Sequence, residues 1–250
     1  MEKKYDYFIL LPLVIFSIYC SLILGMAWDE PYFYEIGINR LKYILSFGNY
    51  EYREFSHGAN IYQFPGFYDT LTAFISQMIP KKYEIETHHL INLFFSFITI
   101  LGITKITKSI FNSKVSKIVF LILFLNPIFF GHMSINTKDT IIVFSNVWAT
   151  YFLIRYLQTQ SLEIKRKHFS TLTGIAIGFG VGTRVISLVT FIPIFILIFI
   201  DIFVLKIIRD KKFIIANFFK DIWFFFAKKK LVWRWLETSF VCDKYQGYCS

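Results

Sequence analysis

Long apolar runs, separated by short charged clusters, dominate the chain. Residues Tyr7 to Ala27 carry no charge, and at ~1.5 Å per residue they reach roughly 31 Å, enough for the ~30 Å hydrocarbon core of a bilayer. Runs of the same kind occupy Leu90–Thr104, Ile118–Phe130, Thr140–Ile154 and Val185–Ile200. Soluble domains do not repeat such runs, so the pattern predicts an all-α, polytopic transmembrane helical bundle. The expected spans are 7–27, 88–107, 115–131, 139–158, 171–183 and 185–205, all within a transmembrane region of residues 1–210. Glycines 174, 178, 180 and 182 permit close helix packing. The apolar stretch from 171 to 205 is too long for one span, so a turn is expected near Arg184.

The connection between the first two spans, residues 28–87, is too long and too patterned for a plain linker. Within it Glu35, Asn39, Lys42 and Ser46 recur at helical spacing on an otherwise aromatic and aliphatic background. That stripe predicts a helix lying in the membrane interface. A second apolar piece, Phe67 to Ile79, is short for a span and reads as an interfacial or re-entrant helix. Residues 211–250 alternate aromatic clusters with Lys228-Lys229-Lys230 and read as a basic, aromatic interfacial tail.

Charge changes this picture by giving it a direction. The net charge is +10, which could suggest nucleic acid, but its placement excludes that partner. Lys3-Lys4, then Lys105, Lys108, Lys114 and Lys117, then Lys165-Arg166-Lys167, then Lys206, Arg209, Lys211 and Lys212 fall on one side of successive spans. This is the positive-inside pattern, with the N-terminus in the cytoplasm. The segment from Asp29 to Glu86 holds eight acids against five Lys/Arg, as expected of an extracytoplasmic loop. Gly25-Met26-Ala27 loosely fits a signal cleavage site, but the apolar run before it is long for a signal peptide, so an uncleaved anchor is expected. Cys20 lies in the first span, and Cys242 and Cys249 show no zinc spacing.

Candidate chemistry gathers on the outer side. Asp29-Glu30-Pro31 directly follows the first span and admits two readings. One is a helix start, since Asp caps, acids suit the first turn and Pro suits early helix positions. The other is a catalytic carboxylate pair, which needs partners on the same face. Lys138-Asp139, between spans three and four, and Arg184, inside an apolar stretch, are ionisable residues at membrane depth, costly enough to suggest a site. Asp139 can equally be a cap, with Asn136 or Thr137 as competitors. His132 has no ligand partner at metal-binding spacing, so no metal or other cofactor is expected, and a divalent ion lacks support.

Taken together, WDEPYFYE (28–35), HHLINLFF (88–95), NPIFFGHMSINTKD (126–139) and GIAIGFGVGTR (174–184) resemble the polytopic GT-C glycosyltransferases. The protein mannosyltransferase and aminoarabinose transferase branch is the most similar. The resemblance covers about residues 7–205 and implies transfer of a sugar from a polyprenyl-phosphate carrier to a sugar, lipid or protein acceptor at the outer face. It implies Asp29 as general base, with Glu30 beside it, and Asp139 as a second acid. Arg184 and Lys138 would lie near the donor phosphate. His89 stands where many members carry Arg. The resemblance also implies an integral protein of a bacterial inner (plasma) membrane, and, because members have many more spans, an N-terminal part of such an enzyme.

The chemistry has a physical basis. An acceptor hydroxyl is a poor nucleophile until a positioned carboxylate takes its proton, and the departing phosphate gains charge that a cation stabilises in a dry site. The competing expectation is a small transporter or membrane scaffold without catalysis. It calls for ionisable residues near mid-membrane in several spans, which spans one to three lack.

Overall fold

The computed structural model describes residues 2–50, 65–159 and 162–205. The expected tail helix of residues 211–250 lies outside the described residues, as does part of the 28–87 loop. Among the described residues there are helices and no strands: α1 (Glu2–Ile23), α2 (Glu30–Leu45), α3 (Phe67–Ser76), α4 (Glu84–Ile110), α5 (Ser113–Leu125), α6 (Pro127–Ile135), α7 (Asp139–Gln158), α8 (Glu163–Thr183), α9 (Ser187–Thr190) and α10 (Ile192–Ile200). A 3₁₀ turn, Lys81–Tyr83, leads into α4, and π-helical residues Asp201–Leu205 extend α10. The protein is an all-α membrane protein. Among the described residues, two helices are long and apolar enough to cross a bilayer alone, α4 with its lead-in turn (Lys81–Ile110) and α7. Leu10–Ile23 and Ile192–Phe203 are apolar but shorter.

The chain divides into two compact units, Met1–Phe144 and Ser145–Ser250. In the first, α4 is the central element. Leu93 and Ile100 on α4 pack with Phe124 of α5 and Met133 of α6, and Leu13 of α1 joins them. Phe124 stacks on Phe97 and Phe120 at 5.9 Å each.

Local sequence explains where these elements break. The apolar run 115–131 is not one straight rod, because α5 and α6 meet at a 68° bend. Asn126 precedes Pro127, and the proline ring forces it out of the helical region, to φ −67° and ψ 116°. The Asn126 side chain then accepts from Phe129 N at 2.9 Å and starts α6 afresh, with Pro127 in the first turn. The first helix likewise ends at Ile23, four residues before the apolar run does, because the chain turns there into α2. On α2 the polar stripe does not all face outward. Glu35 and Lys42 are exposed, but Asn39 is buried and accepts from the Tyr50 hydroxyl at 3.3 Å.

The second unit packs Ala149 and Leu153 of α7 against Ala176 and Ile177 of α8, with Phe191 and Ile194. Among the α8 glycines, Gly180 meets the tightest contact. A Cβ there would lie 2.9 Å from Ser145 Cβ and 3.0 Å from the Phe191 ring, and Ser145 Oγ donates to Ala176 O at 2.8 Å. Such close approach is the use of small residues in membrane helices. α8 begins at Glu163, well before the apolar pattern starts at 171.

In the first unit, Gly37 lets α2 lie directly on the α3 backbone, where a Cβ would meet the Asp69 carbonyl carbon at 2.7 Å. Gly37→Ala is therefore expected to cost about 1–3 kcal/mol through overpacking. Gly131→Ala, where nothing lies within 4 Å, should be neutral or stabilise by up to about 1 kcal/mol through helix propensity. Unfolding midpoints in detergent check both.

Candidate active site

The C-terminal end of α1, the start of α2 and the first turns of α4 meet at one end of the first unit. Glu30 closes this junction. Its carboxylate accepts from Ala27 N at 2.7 Å, which fixes the turn between α1 and α2. Oε1 and Oε2 also lie 3.0 and 3.2 Å from His89 Nε2, while His89 Nδ1 lies 3.1 Å from the Ser21 carbonyl oxygen. Both imidazole nitrogens thus have oxygen partners within the fold. His89 is fully buried and ties three helices together.

Asp29 behaves differently from Glu30. It occupies the position before α2 but makes no side-chain capping bond, and it is exposed. The cap that the sequence permits is not made, because Glu30 holds the turn from inside.

A second junction joins α3, α4, α6 and α7. Asn92, fully buried on α4, donates to Met133 O at 3.0 Å and Asn136 O at 3.1 Å. Its Oδ1 faces the Tyr68 hydroxyl and the Thr140 hydroxyl, each at 3.1 Å. Ser96 Oγ adds a bond to Met133 O at 2.9 Å. Carbonyls that α6 cannot satisfy at its own end are therefore capped from α4. Burial, with the neighbouring Asp69 carboxylate adding to it, holds the Tyr68 phenol well above its usual range, which keeps it a donor to Asn92.

The start of α7 is set by Asn136. Its Oδ1 accepts from Asp139 N at 2.9 Å and its Nδ2 donates to Asp139 Oδ2 at 3.2 Å, a reciprocal cap in which Asp139 is the exposed partner. Lys138 turns the other way. It is 2% exposed, pairs with the buried Asp69 of α3, and lies 4.2 Å from the centroid of the Phe33 ring. Lys138 and Asp69 therefore satisfy each other in a dry setting, with an aromatic face beside the cation.

Between these junctions lies a cavity of about 180 Å³. Glu30, Asp69 and Glu84 bring carboxylates to its walls, Lys81 and Lys82 bring cations, and His88 brings an imidazole. Met26, Phe33, Tyr34 and Ile85 supply apolar surface, and Thr72 and Thr137 line it too. Of the catalytic and phosphate-binding candidates singled out in the sequence, only Glu30 is in the wall. His89 and Lys138 stand behind it, bonded to the wall residues Glu30 and Asp69. Asp29 and Asp139 are exposed neighbours in sequence of Glu30 and Lys138. Arg184 belongs to the second unit, where it follows the last turn of α8 in extended conformation.

Sequence reasoning missed Asp69, Lys81, Lys82, Glu84, His88 and Asn92. A lone acid in the apolar piece Phe67–Ile79 was a usable signal for Asp69, since such a charge needs a partner. Asn92 carried no signal, because periodicity does not show what an inward amide will meet.

An all-α membrane bundle with acids and cations around a small cavity at one end defines a class, a membrane protein with a site at its rim. The family follows from comparison. A family model described as dolichyl-phosphate-mannose-protein mannosyltransferase matches residues 72–220, and the chain belongs to that family. It is thereby a membrane glycosyltransferase of the GT-C type. Among curated proteins and among solved structures, nothing matches the chain.

Removing one partner of a buried ion pair leaves the other charge uncompensated. Lys138→Met should therefore cost about 3–5 kcal/mol, and adding Asp69→Asn to it should recover most of that loss. Thermal unfolding of the single and double variants in detergent decides this.

Proposed function

We propose that this protein transfers a sugar from a polyprenyl-phosphate donor to an acceptor at the extracytoplasmic face, with Asp29 as general base. The observation that carries the reading is the cavity lined by α2, α3 and the start of α4, with carboxylates and lysines in its wall at one end of the first unit. The positive-inside pattern supports this sidedness. The opposite end of α4 and the start of α5 carry Lys105, Lys108, Lys114 and Lys117, joined there by a Ser116 Oγ bond to Thr104 O at 2.8 Å. That end is cytoplasmic and the cavity end is outside, in a protein of the bacterial inner membrane.

The carboxylates divide their work. Glu30 is committed to His89 and Ala27 N, and Asp69 to Lys138. Asp29 is exposed and makes no capping bond, so it is free to accept a proton. As the acceptor oxygen attacks the anomeric carbon, its proton passes to Asp29 and the bond from that carbon to the phosphate oxygen breaks. The leaving phosphate keeps the electron pair, and Lys81 and Lys82 in the cavity wall stabilise its charge. Lys138, held by Asp69, fixes the wall. Asp139 acts as the second acid that the resemblance implies. The prenyl chain stays in the bilayer, which is why a site at the rim suits this donor.

Asp29→Asn keeps the shape and removes the proton acceptor. Transfer of labelled sugar from polyprenyl phosphate in membranes should fall by about 10²–10⁴-fold while donor binding stays near normal. Glu30→Gln should cost less if Glu30 only orients. For Arg184, the role implied by the resemblance means that Arg184→Gln weakens donor binding. Near-normal transfer by Asp29→Asn in an active background would remove Asp29 from the mechanism.

A further inference from the structure

Among the described residues, the cavity wall holds one buried side-chain polar atom without a partner in the protein. His88 Nε2 is buried and hydrogen-bonds nothing in the protein, yet His88 lines the cavity. Tyr34 sets the imidazole from the side, edge-on, with centroids 5.1 Å apart and planes at 78°. The adjacent His89 has both nitrogens bonded within the fold, so the two histidines have distinct duties. The other described buried side-chain atoms without a partner belong to Ser21, Asn39 and Ser187, and none of these residues lines the cavity. A buried nitrogen without a protein partner calls for an explanation. Because His88 lines the cavity, a polar group seated there would supply that partner.

Size and wall chemistry narrow the occupant. At about 180 Å³ the cavity is below the ~300–1,000 Å³ of drug-sized sites, so it holds one ring and not an extended chain. Phe33, Tyr34 and Ile85 offer apolar surface to the C–H face of a ring. Glu84 and Thr72 offer oxygens to ring hydroxyls at the edge. We propose that this cavity seats the sugar ring of the donor and that His88 is a specificity-determining residue, its Nε2 hydrogen-bonding one ring hydroxyl. The assignment depends on the glycosyltransferase reading given above. A site built around such a bond rejects an analogue that lacks the hydroxyl more strongly than apolar contact can.

The test measures equilibrium binding of farnesyl phosphate and of farnesyl-phosphoryl hexoses to the purified full chain in detergent. For the best-bound hexose, His88→Phe should weaken binding about tenfold, the scale of one buried hydrogen bond. Farnesyl phosphate itself should bind His88→Phe as it binds the parent protein. His88→Gln, whose amide nitrogen can stand near the position of Nε2, should recover most of the loss. Among monodeoxy hexose donors, one should bind the parent about tenfold more weakly and show no further loss with His88→Phe. That deoxy series on the parent protein keeps the idea testable should His88→Phe fail to fold, and a series in which no position costs binding would overturn it. Equal loss on both probes, or unchanged hexose binding by His88→Phe, would make His88 a packing residue. If the parent binds farnesyl phosphate but no hexose form more tightly, the sugar subsite alone is wrong. Binding of neither probe would overturn the polyprenyl-phosphate reading and the His88 role with it.

Discussion

A single amide, Asn92, is the constraint on which the first unit depends. In the dry interior of a membrane bundle an unpaired polar group has no water to turn to. Asn92 satisfies both of its donors with Met133 O and Asn136 O and both lone pairs with Tyr68 and Thr140. One residue of α4 thereby fixes where α6 ends, where α7 begins and where α3 lies. α6 leaves α5 at 68° at Asn126-Pro127, and its free C-terminal carbonyls are then capped by Asn92 and Ser96. Bonds of this kind in membrane proteins contribute about 0.6 kcal/mol each on average. Their value here is geometric, because they set the positions of Lys138 and Asp69.

From that frame two buried side-chain pairs follow, each committing one local carboxylate. Glu30 with His89 locks the turn out of the first helix, and Asp69 with Lys138 locks α3 to the start of α7. Each pair is buried and bonded within the fold. Asp29, in neither pair, is exposed beside the first. Chemistry at a membrane rim needs this division. Structural charges must be neutralised within the fold, whereas a base must be free to take a proton.

Much of the fold was legible in the pattern, and the reasons it stopped are physical. The apolar run of α7 has a polar residue at each end and no proline or glycine within it, so the pattern predicts a helix over Asp139–Gln158. The apolar run 115–131 reads as straight by hydropathy alone. Asn126-Pro127 held the information that it bends, since a proline restricts the residue before it. On α2, spacing placed Glu35, Asn39 and Lys42 on one stripe but could not show that Asn39 is buried, with Tyr50 bonded to it. At the site, the adjacent acids Asp29-Glu30 and the unlike pair Lys138-Asp139 were visible. Which member of each pair turns inward was not, because that depends on His89 and Asp69, residues 59 and 69 positions away.

The most direct test of the account is photo-crosslinking of the full chain in membranes with a diazirine-bearing polyprenyl-phosphate sugar, followed by mapping of the labelled peptides. Label is expected on residues 26–34 and 81–89, the walls of the cavity, and should be displaced by unlabelled donor. Displaceable label at the opposite end of α4, around residues 104–117, would contradict the placement of the site and the sidedness of the chain together.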